Sequence, residues 1–194
     1  RNGASVMTGF DNDRWAKIKS DARRWWAGDL GRPLIQVRLK GKPTDRPEPA
    51  LLSHEFASFY PMSTPAEQIV DRWDYDLSRT LFLGDGFPHV FPNFGPGAIA
   101  AFLGAELING SDTVWFHPKQ DIPVVDLDFE VDAVNPWYRR CRDLVSAAMD
   151  RWQGSVQCGV TDLGGNLDIL SVFRPAESLI YDLYDHPEHV TRLT

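Results

Sequence analysis

NPWYRRCRDLVSAAMDRWQGSVQCGVTDLGGNLD, residues 135–168, carries the pattern that decides the fold class. Asn135 is a good helix cap, and Pro136 suits the first helical position, where its missing N–H costs nothing. Trp137, Cys141, Leu144, Val145, Ala148 and Trp152 then recur at helical spacing. Gly154 ends the run, and residues 155–161 (SVQCGVT) read as a short strand. A turn, Thr161 to Asp168, follows the strand.

The succession of helix and short strand extends in both directions. Asp13 to Ala27 reads as an amphipathic helix with Trp15, Ile18, Ala22, Trp25 and Trp26 on one face and Gly28 as its stop. Pro33 to Leu39 (PLIQVRL) reads as a buried strand, and residues 40–62, with prolines 43, 47, 49 and 61, as an irregular connection. Thr64, Pro65 and Glu67 form a capping box that opens a helix with Ile69, Val70, Trp73 and Leu77 as its apolar stripe. Pro175 to Asp185 is helical again, and Pro187 opens a further helix. Helices that alternate with single short strands predict α/β architecture with a parallel sheet, either doubly wound or closed into a barrel.

Composition narrows the function classes. The 194 residues are a one-domain length, 43% hydrophobic and 24% charged, which argues against global disorder. A net charge of -7 disfavours a nucleic-acid-binding module, which needs a basic face. No apolar run approaches the ~20 residues that span a bilayer, and residues 1–20 lack the apolar core of a signal peptide. Cys141 and Cys158 read as reduced core residues, so the expected compartment is the cytoplasm. The chain starts at Arg1 and stops at Thr194 inside an expected helix, so it is read as a piece of a longer protein. There is no internal repeat, no dinucleotide fingerprint, no phosphate loop and no nucleophile elbow.

Four segments could carry chemistry. In Gly84 to Gly97 (GDGFPHVFPNFGPG), Phe87, Phe91 and Phe94 could wall an apolar pocket. Asp85 within it is the catalytic candidate, since aromatic surroundings disfavour its charged form and suit acid–base work. The alternative is a turn aspartate bonded to local backbone. His89 is a proton donor, a ligand or a packed core residue. Asp162, Asn166 and Asp168 stand after the strand at 155–161, where active sites of parallel α/β folds collect, or they cap the following helix. Arg38, with Lys40 and Lys42 beside it, either holds an anion or is simply solvated. Asp126, Asp128, Glu130 and Asp132 alternate with Leu127, Phe129 and Val131 and read as a half-exposed strand with a solvated acidic face. The two cysteines make no zinc signature, and no metal ligands are assigned.

Residues 81–118 (LFLGDGFPHVFPNFGPGAIAAFLGAELINGSDTVWFHP), 161–193 (TDLGGNLDILSVFRPAESLIYDLYDHPEHVTRL) and 22–39 (ARRWWAGDLGRPLIQVRL) resemble the uroporphyrinogen-decarboxylase-like family. The resemblance implies a (β/α)8 TIM barrel. Such barrels typically need ~250 residues. With about three barrel strands, at 33–39, 88–92 and 155–161, the chain is expected to be the incomplete N-terminal part, one domain over 1–194. It also implies decarboxylation of a porphyrinogen-like carboxylated small molecule, with Asp85 stabilising the protonated intermediate. Phe87, His89, Phe94, Asp162, Asn166, Asp168 and Arg38 are then the substrate-binding candidates. The family's Arg-Gln-Ala-Gly-Arg carboxylate motif is absent, and residues 164–168 (GGNLD) depart from its Gly-x-Pro-Trp-Thr turn. The alternatives are a zinc-dependent corrinoid or thiol methyltransferase of the same superfamily and a non-catalytic carbohydrate or small-ligand binding barrel. Zinc would require His and Cys ligands from strands beyond this segment. No nucleic acid or membrane partner is expected, and a homodimer of the full-length protein stays open.

Overall fold

The structure is a computed structural model that describes residues 10–194, so part of the signal-peptide reading at residues 1–20 lies outside the described residues. The chain divides into two units. The first comprises the chain up to Ser53, Thr64–Phe91 and Leu144–Gly159, and the second comprises His54–Ser63, Pro92–Asp143 and Val160–Thr194.

In the first unit, helix α1 (Asn12–Trp26) starts where Asp11 accepts a hydrogen bond from the Arg14 N–H at 2.8 Å. It ends at Ala27, and Gly28 turns away with a φ of 77°, a conformation open to glycine. Strand β1 (Gln36–Lys40) pairs antiparallel with β2 (Thr80–Gly84), Gln36 opposite Gly84 and Lys40 opposite Thr80. The expected buried strand at 33–39 is therefore corrected. Every residue of β1 is exposed, and Val37, Leu39, Leu81 and Leu83 make one open apolar face. The segment IQVRLK alternates apolar and polar side chains, which suits a strand covered on one face at most.

Helix α2 (Ala66–Ser78) follows Pro65, which stands one position later than the expected Thr64 cap. Its apolar stripe buries Ile69, Val70 and Leu77. Val70 and Leu77 cluster with Phe82, Ala148, Trp152 and Val156, each buried Val, Leu or Phe side chain contributing about 1.5–3 kcal/mol. Beside this cluster, buried Asp74 accepts hydrogen bonds from Arg46 (2.6 Å), Arg151 (2.6 and 3.1 Å) and the Trp152 indole (2.7 Å). Burial pushes the Asp74 carboxyl up, but the Trp152, Arg151 and Arg46 hydrogen bonds outweigh it and hold the group below its ordinary range. Strand β3 (His89–Val90) pairs in parallel with β6 (Gln157–Cys158).

The second unit holds a 3-10 turn (Ala57–Phe59) and a short helix α3 (Ile99–Phe102). It also holds an antiparallel hairpin of β4 (Glu106–Asn109) and β5 (Val114–His117), which the sequence reading did not contain. Helix α4 (Pro136–Trp152) opens here and contributes its residues from Leu144 onward to the first unit. Asn135 caps it as expected, its Oδ1 accepting from the Trp137 and Tyr138 N–H groups at 2.9 and 3.1 Å. Helices α5 (Asn166–Phe173), α6 (Ala176–Asp185) and α7 (Pro187–Leu193) follow. Ile169, Leu170, Leu179, Val190, Val124 and Leu127 lie in one core cluster. Arg174 joins α5 to α6 through two hydrogen bonds to Asp182, at 2.6 and 3.3 Å.

Residues 126–132 form no strand, which corrects that expectation. Pro123 opens a turn instead, Leu127 is buried, and Asp128 meets Arg192 at 3.2 Å. The four acids are exposed, as the alternation implied.

The architecture is mixed helix with short sheets, α/β in the broad sense. Among the described residues there are three two-stranded sheets, of which only β3–β6 is parallel, and this corrects the expectation of one parallel sheet. Cys141 is buried and Cys158 is half-buried. No helix among the described residues is long and apolar enough to cross a membrane.

Candidate functional site

Four of the residues singled out from sequence, Arg38, Asp85, Phe87 and His89, lie in the first unit around the turn between β2 and β3. The turn packs tightly on β1. A Cβ on Gly84, whose φ is 60°, would stand 2.4 Å from the Ile35 carbonyl oxygen. The Asp85 N–H donates to that same oxygen at 2.7 Å.

Asp85 itself is 4% exposed. Its Oδ2 accepts from the Ile35 N–H at 2.8 Å and from Arg32 Nη1 at 2.6 Å, and its Oδ1 accepts from Arg32 Nη2 at 2.8 Å. Arg32 extends the network through a 2.9 Å bond to buried Asp21, which also pairs with Lys17. The Arg32 hydrogen bonds hold the Asp85 carboxyl at about 2, against the upward push of burial and with the Ile35 N–H assisting. This corrects the expectation of a carboxyl whose charged form is disfavoured. The bidentate guanidinium supplies the compensation that aromatic neighbours would withhold. Asp85 is an ionised acceptor and does not store a proton near neutrality.

The structure brings Arg38, His89 and Phe87 together. Arg38 Nη1 lies 3.3 Å from His89 Nε2, while His89 Nδ1 lies 3.0 Å from the Phe87 carbonyl oxygen. A guanidinium only donates and a carbonyl only accepts. These partners therefore assign the neutral Nδ1–H tautomer, with the Nε2 lone pair facing Arg38. Arg38 also lies over the Phe82 ring, 5.8 Å from its centroid. The Phe87 ring is 5.4 Å from His89 and 5.3 Å from Trp15, so aromatic groups flank the polar pair. Arg38 is exposed and His89 is half-buried. The arrangement offers an exposed guanidinium, steadied by a ring and an imidazole, beside an aromatic wall. Such a group can receive a carboxylate.

No family model, curated protein or solved structure matches the chain.

The other candidates lie in the second unit. Phe94 is fully buried, edge-on to Trp137 at 6.1 Å, and works as a core residue there. Asp162 is exposed and bends its own turn, its Oδ1 accepting from the Gly164 N–H at 2.8 Å. Asn166 begins α5 and donates to the Thr194 carbonyl, while Asp168 stands in the first turn of that helix. Gly165 is the cap, so neither Asn166 nor Asp168 fills the capping position.

Sequence reasoning missed Arg32, Asp21 and Trp15 as parts of the arrangement. Arg32 lies 53 residues from Asp85, and its signal was the context Gly31-Arg32-Pro33, a charged residue between two that restrict or free the backbone. No group of three or more His, Cys, Asp or Glu side chains among the described residues could hold a metal ion. Cys158, a thiol with a pKa raised by burial, donates to the Gly159 carbonyl. The described residues do not fit a zinc centre.

Proposed function

We propose that this chain belongs to a cytoplasmic enzyme of the uroporphyrinogen-decarboxylase-like type, acting on a carboxylated small molecule. The single observation that supports it best is the Arg38–His89 pair, 3.3 Å apart beside Phe87. Arg38 receives a substrate carboxylate, His89 steadies the guanidinium from behind, and Phe87 lies against the substrate's ring. In the reaction that the resemblance implies, a pyrrole carbon takes a proton, the carbon–carbon bond to the carboxylate breaks, and its electron pair returns to the ring as carbon dioxide leaves. Asp85, with both carboxylate oxygens held by Arg32 and the Ile35 N–H, supports the site as an ionised anchor of the β1–β2 turn and not as the proton donor. The finer fold, the N-terminal part of a (β/α)8 barrel, rests on the resemblance, with the parallel β3–β6 pair as its one local support.

A second reading is a small-ligand binding barrel without turnover. It is favoured by the engagement of both Asp85 oxygens with Arg32 and Ile35. Titration calorimetry with pyrrole-2-carboxylate tests the binding part of both readings, and release of carbon dioxide from a carboxylated porphyrinogen separates them. Binding that needs Arg38, together with gas release, is expected. Binding without release selects the second reading, and absence of binding rejects Arg38 as a carboxylate-receiving group.

A further inference from the structure

We infer that Arg32 and Asp85 form a clasp that locks the register of the β1–β2 ribbon and so positions Arg38 against His89. This rests on the reading of Arg38 and His89 as the carboxylate-receiving pair. The ribbon is five residues long on each strand, and one of its faces is uncovered. Register is weakly specified where burial does not enforce it, and a one-residue slip moves every side chain to the opposite face. Such a slip would turn Arg38 from the face it shares with Gln36 and Lys40 to the one now held by Val37 and Leu39.

The clasp sits where that slip would begin. Asp85 is the first residue after β2, and Ile35 is the residue just before β1. Their backbones and the Asp85 side chain exchange bonds in both directions, at 2.7 and 2.8 Å. Arg32 grips both carboxylate oxygens and also donates to the Pro33 carbonyl at 2.9 Å, tying its own segment to the turn. The register then places Arg38 opposite Phe82, which puts its guanidinium over the Phe82 ring and within reach of His89. Asp85 and Arg32 thus act as positioning residues, through β1, on a site neither needs to touch.

The test uses the full 194-residue chain with Arg32→Gln, and with Arg32→Lys as the conservative variant that keeps a charge. Two readouts are taken: the 15N shifts of the His89 ring and the affinity for pyrrole-2-carboxylate. Arg32→Gln is expected to lose the Nδ1–H tautomer signature and to bind the probe about tenfold more weakly. Arg32→Lys is expected to fall between, and it carries the test if Arg32→Gln does not fold. Wild-type His89 shifts in either folded variant would overturn the inference. A wild type that shows the tautomer signature but binds no probe would reject the proposed function and leave the clasp standing on its own readout.

Discussion

Asp85 and Arg32, 53 residues apart in sequence, meet through two hydrogen bonds of 2.6 and 2.8 Å, one to each carboxylate oxygen. The contact converts a residue that resembles a catalytic aspartate into the anchor of a strand. It also explains why a carboxyl that is 4% exposed stays ionised.

Replacing Asp85 by Asn should destabilise the first unit. The amide keeps an acceptor for the Ile35 N–H but loses the charge that Arg32 grips. Hydrogen bonds to charged groups contribute about 1.5–3 kcal/mol, and water around the half-exposed Arg32 brings the expected loss to roughly 1–2 kcal/mol. Urea denaturation checks this. A variant with an unchanged midpoint and slope would show that the clasp adds nothing.

Acid should reveal the same contact. The folded carboxyl titrates at about 2, below the ~3.9 of an unfolded aspartate. The clasp's contribution is therefore complete above about pH 4 and is lost as pH falls towards 2. Asp74 is shifted in the same direction, so its contribution too is lost as pH falls below the ordinary aspartate range. Stability measured from pH 6 to pH 2 should fall less steeply in Asp85→Asn than in wild type. Parallel curves would contradict the assignment.

Gly84→Ala probes the turn beneath the clasp. With a φ of 60° and its Cβ position 2.4 Å from the Ile35 oxygen, alanine is disfavoured by both conformation and space. The expected cost exceeds about 1 kcal/mol, and the Ile35–Asp85 backbone bonds should weaken with it. Hydrogen exchange at the Asp85 amide is the readout. Protection equal to wild type would count against a tightly packed turn.

Asp74→Ala should cost about 3 kcal/mol, because it leaves Arg46, Arg151 and the Trp152 indole without their shared acceptor. Trp152→Phe keeps most of the apolar contact and removes one hydrogen bond, so about 1 kcal/mol is expected. Thermal unfolding of the two variants should rank them in that order, and the reverse ranking would refute the hub.

Local features were readable from sequence where the physics is local. The Asn135 cap, the Gly28 stop, and the helices at 176–185 and 187–193 follow from side chains a few positions apart. Pairing was not readable in that way. PLIQVRL suggested burial, yet its alternation fits the exposed ribbon it forms, and 126–132 alternates without any strand to pair with. The candidate pair Arg38 and His89 was visible only as two separate residues. Their meeting depends on a register set by Arg32, which no spacing rule connects to Asp85.

The central claim is that Arg38 and His89 together receive a carboxylate, and titration of wild type and Arg38→Gln with pyrrole-2-carboxylate, followed by the His89 ring 15N shifts, tests it most directly. Saturable binding that shifts the His89 signals in wild type and is weakened at least about tenfold in Arg38→Gln is expected. Equal affinity in the two proteins, or binding that leaves His89 unmoved, would contradict it.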